Sequence, residues 1–167
     1  LFFTNHDLVR LGNLINWRFI ETPSDANYFK RHKVAMAVLA AYSGPITIYY
    51  GDEWGAYVDG YTGSGALGAY NDNCARSTGK ISGFTSAEQD CLNYAKSLMN
   101  MRSENEVLWN GDSSTLVSQT SYYVGKKTLG SEEVIFIINN GTNSVSYNCS
   151  GTDMLTGQTV SGSVTCD

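Results

Sequence analysis

Asn5-His6-Asp7, directly behind the apolar run Leu1-Phe2-Phe3, is the first place in this sequence where chemistry could be done. An ionised carboxylate accepts hydrogen bonds from hydroxyls while a neighbouring imidazole can donate to another, so Asp7 beside His6 can hold a polyol through charge-assisted contacts. A sugar is the natural ligand for such a pair. The competing use of the same residues is local, with Asn5 or Asp7 capping a turn or a helix. A second cluster, Gly51-Asp52-Glu53-Trp54, follows the run Ile46-Thr47-Ile48-Tyr49-Tyr50. Both clusters stand at the carboxyl ends of strand-like runs, where parallel α/β architectures place their ligand sites. The eleven tyrosines would suit stacking on sugar faces, although most fit packing or exposed strand positions better.

Those clusters need elements to hold them. Leu1 to Phe3 reads as the end of a buried strand, and the residues up to Glu21 as a polar stretch. Thr22-Pro23-Ser24-Asp25 carries the signals of a helix start: Thr22 as N-cap, Pro23 at the first helical position, and Asp25 beside the positive helix end. The helix should run to Tyr42 with Phe29, Val34, Ala37, Val38 and Ala41 on its apolar face. Lys30-Arg31-His32-Lys33 then forms a solvated face, His32 included. Ser43-Gly44-Pro45 ends that helix, and Ile46 to Tyr50 is the next strand. Two nearly continuous apolar strands with a helix between them are the pattern of a parallel sheet covered by helices.

From Gly55 to Gly83, glycine, Asn and Asp crowd without periodicity, which reads as a long loop of the kind that often carries function. Thr85-Ser86-Ala87-Glu88 is a capping box opening a helix whose face Cys91, Ala95, Leu98 and Arg102 continues to Ser103. After Asn110-Gly111-Asp112 the pattern changes to short alternating runs at 115–119, 122–124, 134–138, 145–147 and 159–164, separated by turn residues. That is an antiparallel β domain. The expected domains are residues 1–104 and 105–167.

The length, 167 residues, suits one ordinary domain or a small domain plus part of another. A net charge of -5, with no basic stripe longer than Lys30 to Lys33, argues against a nucleic-acid partner. No apolar run is long enough to span a bilayer, so no membrane partner is expected. No initiator Met and no basic-then-apolar leader stand at the front, so the chain reads as a mature product or a piece of a longer one. Cys74, Cys91, Cys149 and Cys166 form two pairs, each 17 residues apart. Without a CxxC or a nearby histidine they are poor zinc ligands. They suggest two local disulfides and an oxidising compartment, each bond stabilising by about 3 kcal/mol. Four reduced, buried thiols are the alternative.

Taken together, FFTNHDLVR at 2–10 and KVAMAVLAAYSGPITIYYGDEWG at 33–55 resemble the last third of the catalytic barrel in the α-amylase family of glycoside hydrolases. MNMRSENEVLWNGD and VIFIINN further along look like the junction to that family's C-terminal domain. The resemblance implies an α/β plus all-β chain: the C-terminal portion of a (β/α)8 TIM barrel followed by an antiparallel β-sandwich. It further implies retaining cleavage or transfer of α-glucosidic bonds in starch or maltooligosaccharides. Asp7 becomes the third catalytic carboxylate, which holds sugar hydroxyls and helps distort the ring toward an oxocarbenium-like transition state. His6 and Asn5 become substrate-binding neighbours, Arg10 matches an arginine near that aspartate, and Asp52 and Glu53 are strand-end structural residues. SGPITIYYGDE holds no basic residue, so chloride is not expected.

Retaining hydrolysis needs a nucleophile and an acid/base about 5 Å apart. In the family both lie on earlier strands, so this chain is expected to supply one wall of a site and to be inactive alone. It should need no cofactor of its own, with any calcium bound by the missing N-terminal part. The expected partners are an α-glucan or maltooligosaccharide, together with an N-terminal barrel fragment or a second copy paired at open strand edges. The expected location is extracellular or periplasmic. Two rivals are a glucan-binding module, which a row of exposed Trp would favour although none follows Gly111, and an inactive amylase-like interaction domain, against which the intact tripeptide speaks.

Overall fold

The structure, a computed structural model, describes residues 1–59 and 75–167. These divide into two compact units, residues 1–36 with 46–96 and residues 37–45 with 97–167. The boundary expected at 104/105 lies inside the second unit. Much of the loop expected over 55–83, and with it Cys74, lies outside the described residues.

In the first unit the two expected strands do not form a sheet. Residues 1–3 and 46–50 have no regular ladder and are joined by one backbone bond, from the Thr47 N–H to the Leu1 carbonyl at 2.9 Å. Two strands with no further partner are marginal on their own, so a single bond is what this pair sustains. A helix not expected from the sequence follows: α1 (Leu11–Phe19), which buries Leu11, Gly12, Asn13 and Ile15. Its inward face escapes a hydrophobic count because two of those positions are Gly and Asn. A Cβ on Gly12 would strike the Tyr28 hydroxyl and the Ala56 carbonyl, so the close approach requires glycine there. Asn13 pairs with the main chain of Val58, donating to its carbonyl at 3.0 Å and accepting from its N–H at 3.3 Å.

The next helix, α2 (Tyr28–Ala41), begins a turn later than expected. Thr22 and Asp25 close a turn instead of capping a helix: the Thr22 N–H and hydroxyl both donate to Asp25 Oδ2, at 2.8 and 2.9 Å. Those bonds hold the Asp25 carboxyl below its ordinary pKa. The buried stripe of α2 is Tyr28, His32, Met36, Leu39 and Ala40, so the solvated reading of His32 is wrong. The imidazole is fully buried, lies 4.9 Å from the Tyr28 ring centre and meets the Tyr28 hydroxyl at 3.1 Å. Burial pushes it down to about 3, against a smaller upward pull from the Asp52 backbone, so it is neutral at physiological pH. A buried neutral imidazole is tolerable where a cation is not. Its basic neighbours do face outward in part: Arg31 forks onto Glu21 at 2.6 and 3.1 Å, and Lys33 reaches Asp90 at 2.6 Å.

Helix α3 (Ser86–Glu104) opens on the expected capping box, with the Thr85 N–H donating to Glu88 Oε2 at 2.7 Å and the Glu88 N–H to Thr85 Oγ1 at 3.3 Å. In the second unit its end supplies Arg102, whose guanidinium donates to the carbonyls of Ala40, Tyr42 and Leu108 and to that of Gly44. A cation at those carbonyls satisfies the end of α2, which Gly44 (φ 89°) and Pro45 terminate as expected.

A short helix, α4 (Val107–Asn110), leads into five strands: β1 (Asp112–Ser118), β2 (Tyr122–Leu129), β3 (Glu132–Asn139), β4 (Val145–Thr152) and β5 (Thr159–Cys166). Four of the five alternating runs read from the sequence fall within these strands, and the first, 115–119, passes the end of β1 by one residue. They form two antiparallel sheets, ordered β1-β2-β3 and β4-β5. Asn139 ties one to the other, donating to the carbonyls of Asn143 and Cys166 at 3.0 and 3.1 Å.

The β4–β5 register corrects the disulfide expectation. Cys149 lies opposite Gly162 and Cys166 opposite Val145, a four-residue offset along the ladder. At about 3.3 Å per residue the two cysteines are roughly 13 Å apart, beyond the ~7 Å reach of a disulfide. Both are free thiols, as is the buried Cys91. No helix among the described residues is long and apolar enough to cross a membrane.

Candidate functional site

The loop that follows Phe3 is anchored from below. Thr4 is 1% exposed, and its hydroxyl donates to Asp52 Oδ2 at 2.6 Å, tying residue 4 to a 3-10 turn at Asp52–Trp54. Burial lifts the Asp52 carboxyl to about 6, with Thr4 and Arg10 pulling it back and Glu53 adding to the rise.

Arg10 fixes the far end of the same loop. It is buried, and its guanidinium donates to the Tyr50 carbonyl at 2.5 Å and to Ser77 Oγ at 3.0 Å while lying 4.5 Å from the Tyr50 ring centre. Gly51 sits under it with φ 98°, and a Cβ there would stand 2.6 Å from Arg10 Nη1. Arg10 thus holds residues 50 and 77 with its guanidinium. Asp52 and Glu53 also work locally, Glu53 accepting the Gly51 N–H at 2.6 Å.

Between these two anchors the chain turns outward. Asn5 Oδ1 accepts the Asp7 N–H at 2.8 Å and the Asn5 carbonyl accepts the Leu8 N–H at 3.3 Å, so Asn5 caps a tight turn. That turn presents the side chains of His6 and Asp7, 66% and 61% exposed, with His6 Nε2 and Asp7 Oδ2 3.1 Å apart. Asp7 Oδ1 takes a second partner, Arg76 Nη2 at 3.2 Å, and Arg76 Nε donates to the His6 carbonyl at 3.2 Å.

The result is an open shelf: a carboxylate between an imidazole and a guanidinium, whose oxygens have acceptor capacity for a hydroxyl as well. The sequence supplies the pair His6 and Asp7 as neighbours. It gives no sign of Arg76, which lies in an aperiodic stretch 69 residues away from Asp7. Among the described residues no group of three or more His, Cys, Asp or Glu is gathered to hold a metal ion.

Comparison with known proteins adds four findings. The family profile described as "Beta-galactosidase C-terminal domain" matches residues 124–167. No curated protein matches the sequence. Among solved structures the chain is similar to AmyP in complex with maltose, with a TM-score of 0.88 and 28% identity over 99% of this chain and 38% of that one. It also shares the fold of alpha-amylases from Anoxybacillus (TM-score 0.75, 20% identity, 99% of this chain and 35% of that one) and from Geobacillus thermoleovorans complexed with acarbose (0.74, 21%, 99% and 36%). The chain therefore spans less than two fifths of the length of each of these proteins, and the part it matches is C-terminal.

Proposed function

From a chain built like the C-terminal part of α-amylase-family glycosidases, we propose that residues 1–104 complete a (β/α)8 barrel and that Asn5-His6-Asp7 forms one wall of its sugar site. The observation that carries this reading is the outward turn of residues 5–7. It rests on two buried anchors, Thr4 with Asp52 and Arg10 with Tyr50, and exposes the imidazole and the carboxylate together. A turn stabilised by Asn5 alone would have no need to hold two ionisable side chains in the open.

The substrate is an α-glucan or maltooligosaccharide, and the reaction is cleavage or transfer of an α-glucosidic bond with retention. In it Asp7 accepts hydroxyls of the sugar at the bond being cleaved, and its charge opposes the positive charge that grows on the ring in the transition state. His6 donates to a neighbouring hydroxyl. Arg76 orients the carboxylate, so sugar hydroxyls meet an acceptor that is already in place. Arg10 and Asn5 position the turn. The nucleophile and the acid/base come from the remainder of the barrel, and the bond from the Thr47 N–H to the Leu1 carbonyl supports reading 1–3 and 46–50 as neighbouring strands of it.

The test is turnover of soluble starch and maltoheptaose by the 167-residue chain. None is expected. Turnover that disappears in Asp7→Asn would show that the chain holds a whole active site and would overturn the division of labour proposed here.

A further inference from the structure

The second unit buries an amine that the site above does not use. Lys127 is fully buried, and its Nζ meets the Leu108 carbonyl and lies 2.8 Å from Ser43 Oγ. Neither partner carries a charge, and an ammonium is costly to bury without one. Burial, joined by the Arg102 guanidinium that shares the Leu108 carbonyl, pushes Lys127 from 10.5 down to about 8. A neutral amine has a lone pair with which to take a proton.

Strand register brings an exposed hydroxyl to that amine. Ser113 of β1 lies opposite Lys127 of β2, so the two side chains share a face of the sheet. Lys127 is buried there while Ser113 is exposed. Ser43, half-buried in the turn after α2, bridges them: its Oγ lies 3.1 Å from Ser113 Oγ and 2.8 Å from Lys127 Nζ, both closer than the Gly111 carbonyl at 3.3 Å. An exposed hydroxyl, a second hydroxyl and a buried base in hydrogen-bond contact have the order of an activated nucleophile.

The surroundings set the substrate. Ser43 and Ser113 both line a groove of about 680 Å³, together with the rings of Trp109, Tyr123 and Phe136, and that volume falls within the roughly 300 to 1,000 Å³ of ligand pockets. Ring faces suit an apolar acyl or aryl group. Asp112 also lines the groove, and its carboxylate disfavours an anionic substrate.

We propose that Ser113 is a nucleophile for acyl transfer from neutral carboxylic esters, with Ser43 and Lys127 as the relay that takes its proton. Ser113 Oγ bonds to the ester carbonyl carbon while its proton passes to Ser43 and the Ser43 proton to Lys127 Nζ. The ester C–O bond then breaks, and the departing alkoxide regains a proton through the same relay, leaving acyl-Ser113 and an alcohol. Water, deprotonated in the same way, releases the carboxylic acid and restores the Ser113 hydroxyl. This activity depends neither on Asp7 nor on the function proposed above.

The test incubates the 167-residue chain with p-nitrophenyl butyrate, follows nitrophenolate release and locates the butyryl group by peptide mass mapping. Butyryl-Ser113 is expected, with release slowed about 10²-fold in Ser113→Ala. Ser43→Ala should slow release about tenfold or more, whereas Ser43→Thr, which keeps a hydroxyl, should leave it within about threefold of wild type. Because the neutral amine is the base, wild-type release should rise with pH and level off above about 8. The other titratable groups on the elements around Lys127 are Arg102, Glu106, Asp112, the Lys126–Glu133 pair and the phenols of Tyr42 and Tyr123. Lys127→Met leaves all of them in place, so the plateau should vanish with the amine. Butyrylation confined to lysines or the N-terminus would overturn the proposal, as would release unchanged in Ser113→Ala or a wild-type rate without a plateau. Should Lys127→Met fail to fold, the wild-type profile and Ser113→Ala, at an exposed position, still decide.

Discussion

At the scale of single residues, His32 and Asp52, both buried, pull stability in opposite directions with pH. His32 is held at about 3 against 6.5 for an ordinary imidazole, so between those values the unfolded chain binds the extra proton. Its contribution is complete above pH 6.5 and lost as pH falls toward 3. Asp52 is raised to about 6 from 3.8, so there the folded chain binds the extra proton, and its contribution is complete below pH 3.8 and lost as pH rises through 6. Urea midpoints measured at pH 7.5 and at about pH 5 should therefore fall with acid less steeply in His32→Gln than in wild type, and more steeply in Asp52→Asn. Equal slopes in all three would refute the burial argument. Local pairings were legible where partners are sequence neighbours: His6 and Asp7 stand side by side, and Asn5 turns the chain two residues on. They were illegible where the fold brings partners together. Arg76 reaches Asp7 from 69 residues away, Arg10 turns inward to Tyr50 and Ser77, and His32 hides inside a run of basic residues that looks solvated.

The same contrast governs the elements. The start of α3 was readable because Thr85 and Glu88 satisfy each other within one turn, and Thr85→Ala should cost about 1 kcal/mol in chemical unfolding. The five strands were readable because alternation survives in half-buried sheets, as in β4, where Val145, Tyr147 and Cys149 share the more buried face. Helix α1 was not, because its inward face depends on Gly12 for space and on Asn13 for a main-chain partner, neither of which scores as apolar. Gly12→Ala should destabilise by about 1 to 3 kcal/mol, since the added methyl meets the Tyr28 hydroxyl and a carbonyl and not a yielding side chain. Thr22 and Asp25 misled for a related reason. The residues that cap helices also close turns, and only the next turn of chain decides between them. An Asp25→Ala variant that left the stability unchanged would show that this turn adds nothing to α2.

At the scale of the whole molecule, the thiols and the exposed apolar residues each lead to a test. Cys149 and Cys166 should both alkylate under non-reducing denaturing conditions, with a mass shift for each. A bridge between them would require a β4–β5 register different from the one described. Leu1 and Phe2, at 43% and 48% exposed, belong to a run whose sequence suits burial on both faces. On the proposed reading the remainder of a barrel covers them. On the same reading, the two apolar runs would take their strand partners from that remainder, while no ladder forms between them in this unit. The most direct test of the central claim is the steady-state turnover of maltoheptaose by the complete enzyme that, on the proposed reading, carries residues 1–167, with Asp7 or with Asn at position 7. The account predicts a fall in kcat of about 10²- to 10³-fold with KM changed far less, as for loss of a group that acts mainly in the transition state. A kcat within about twofold of wild type would contradict it and would reduce Asn5-His6-Asp7 to an exposed turn.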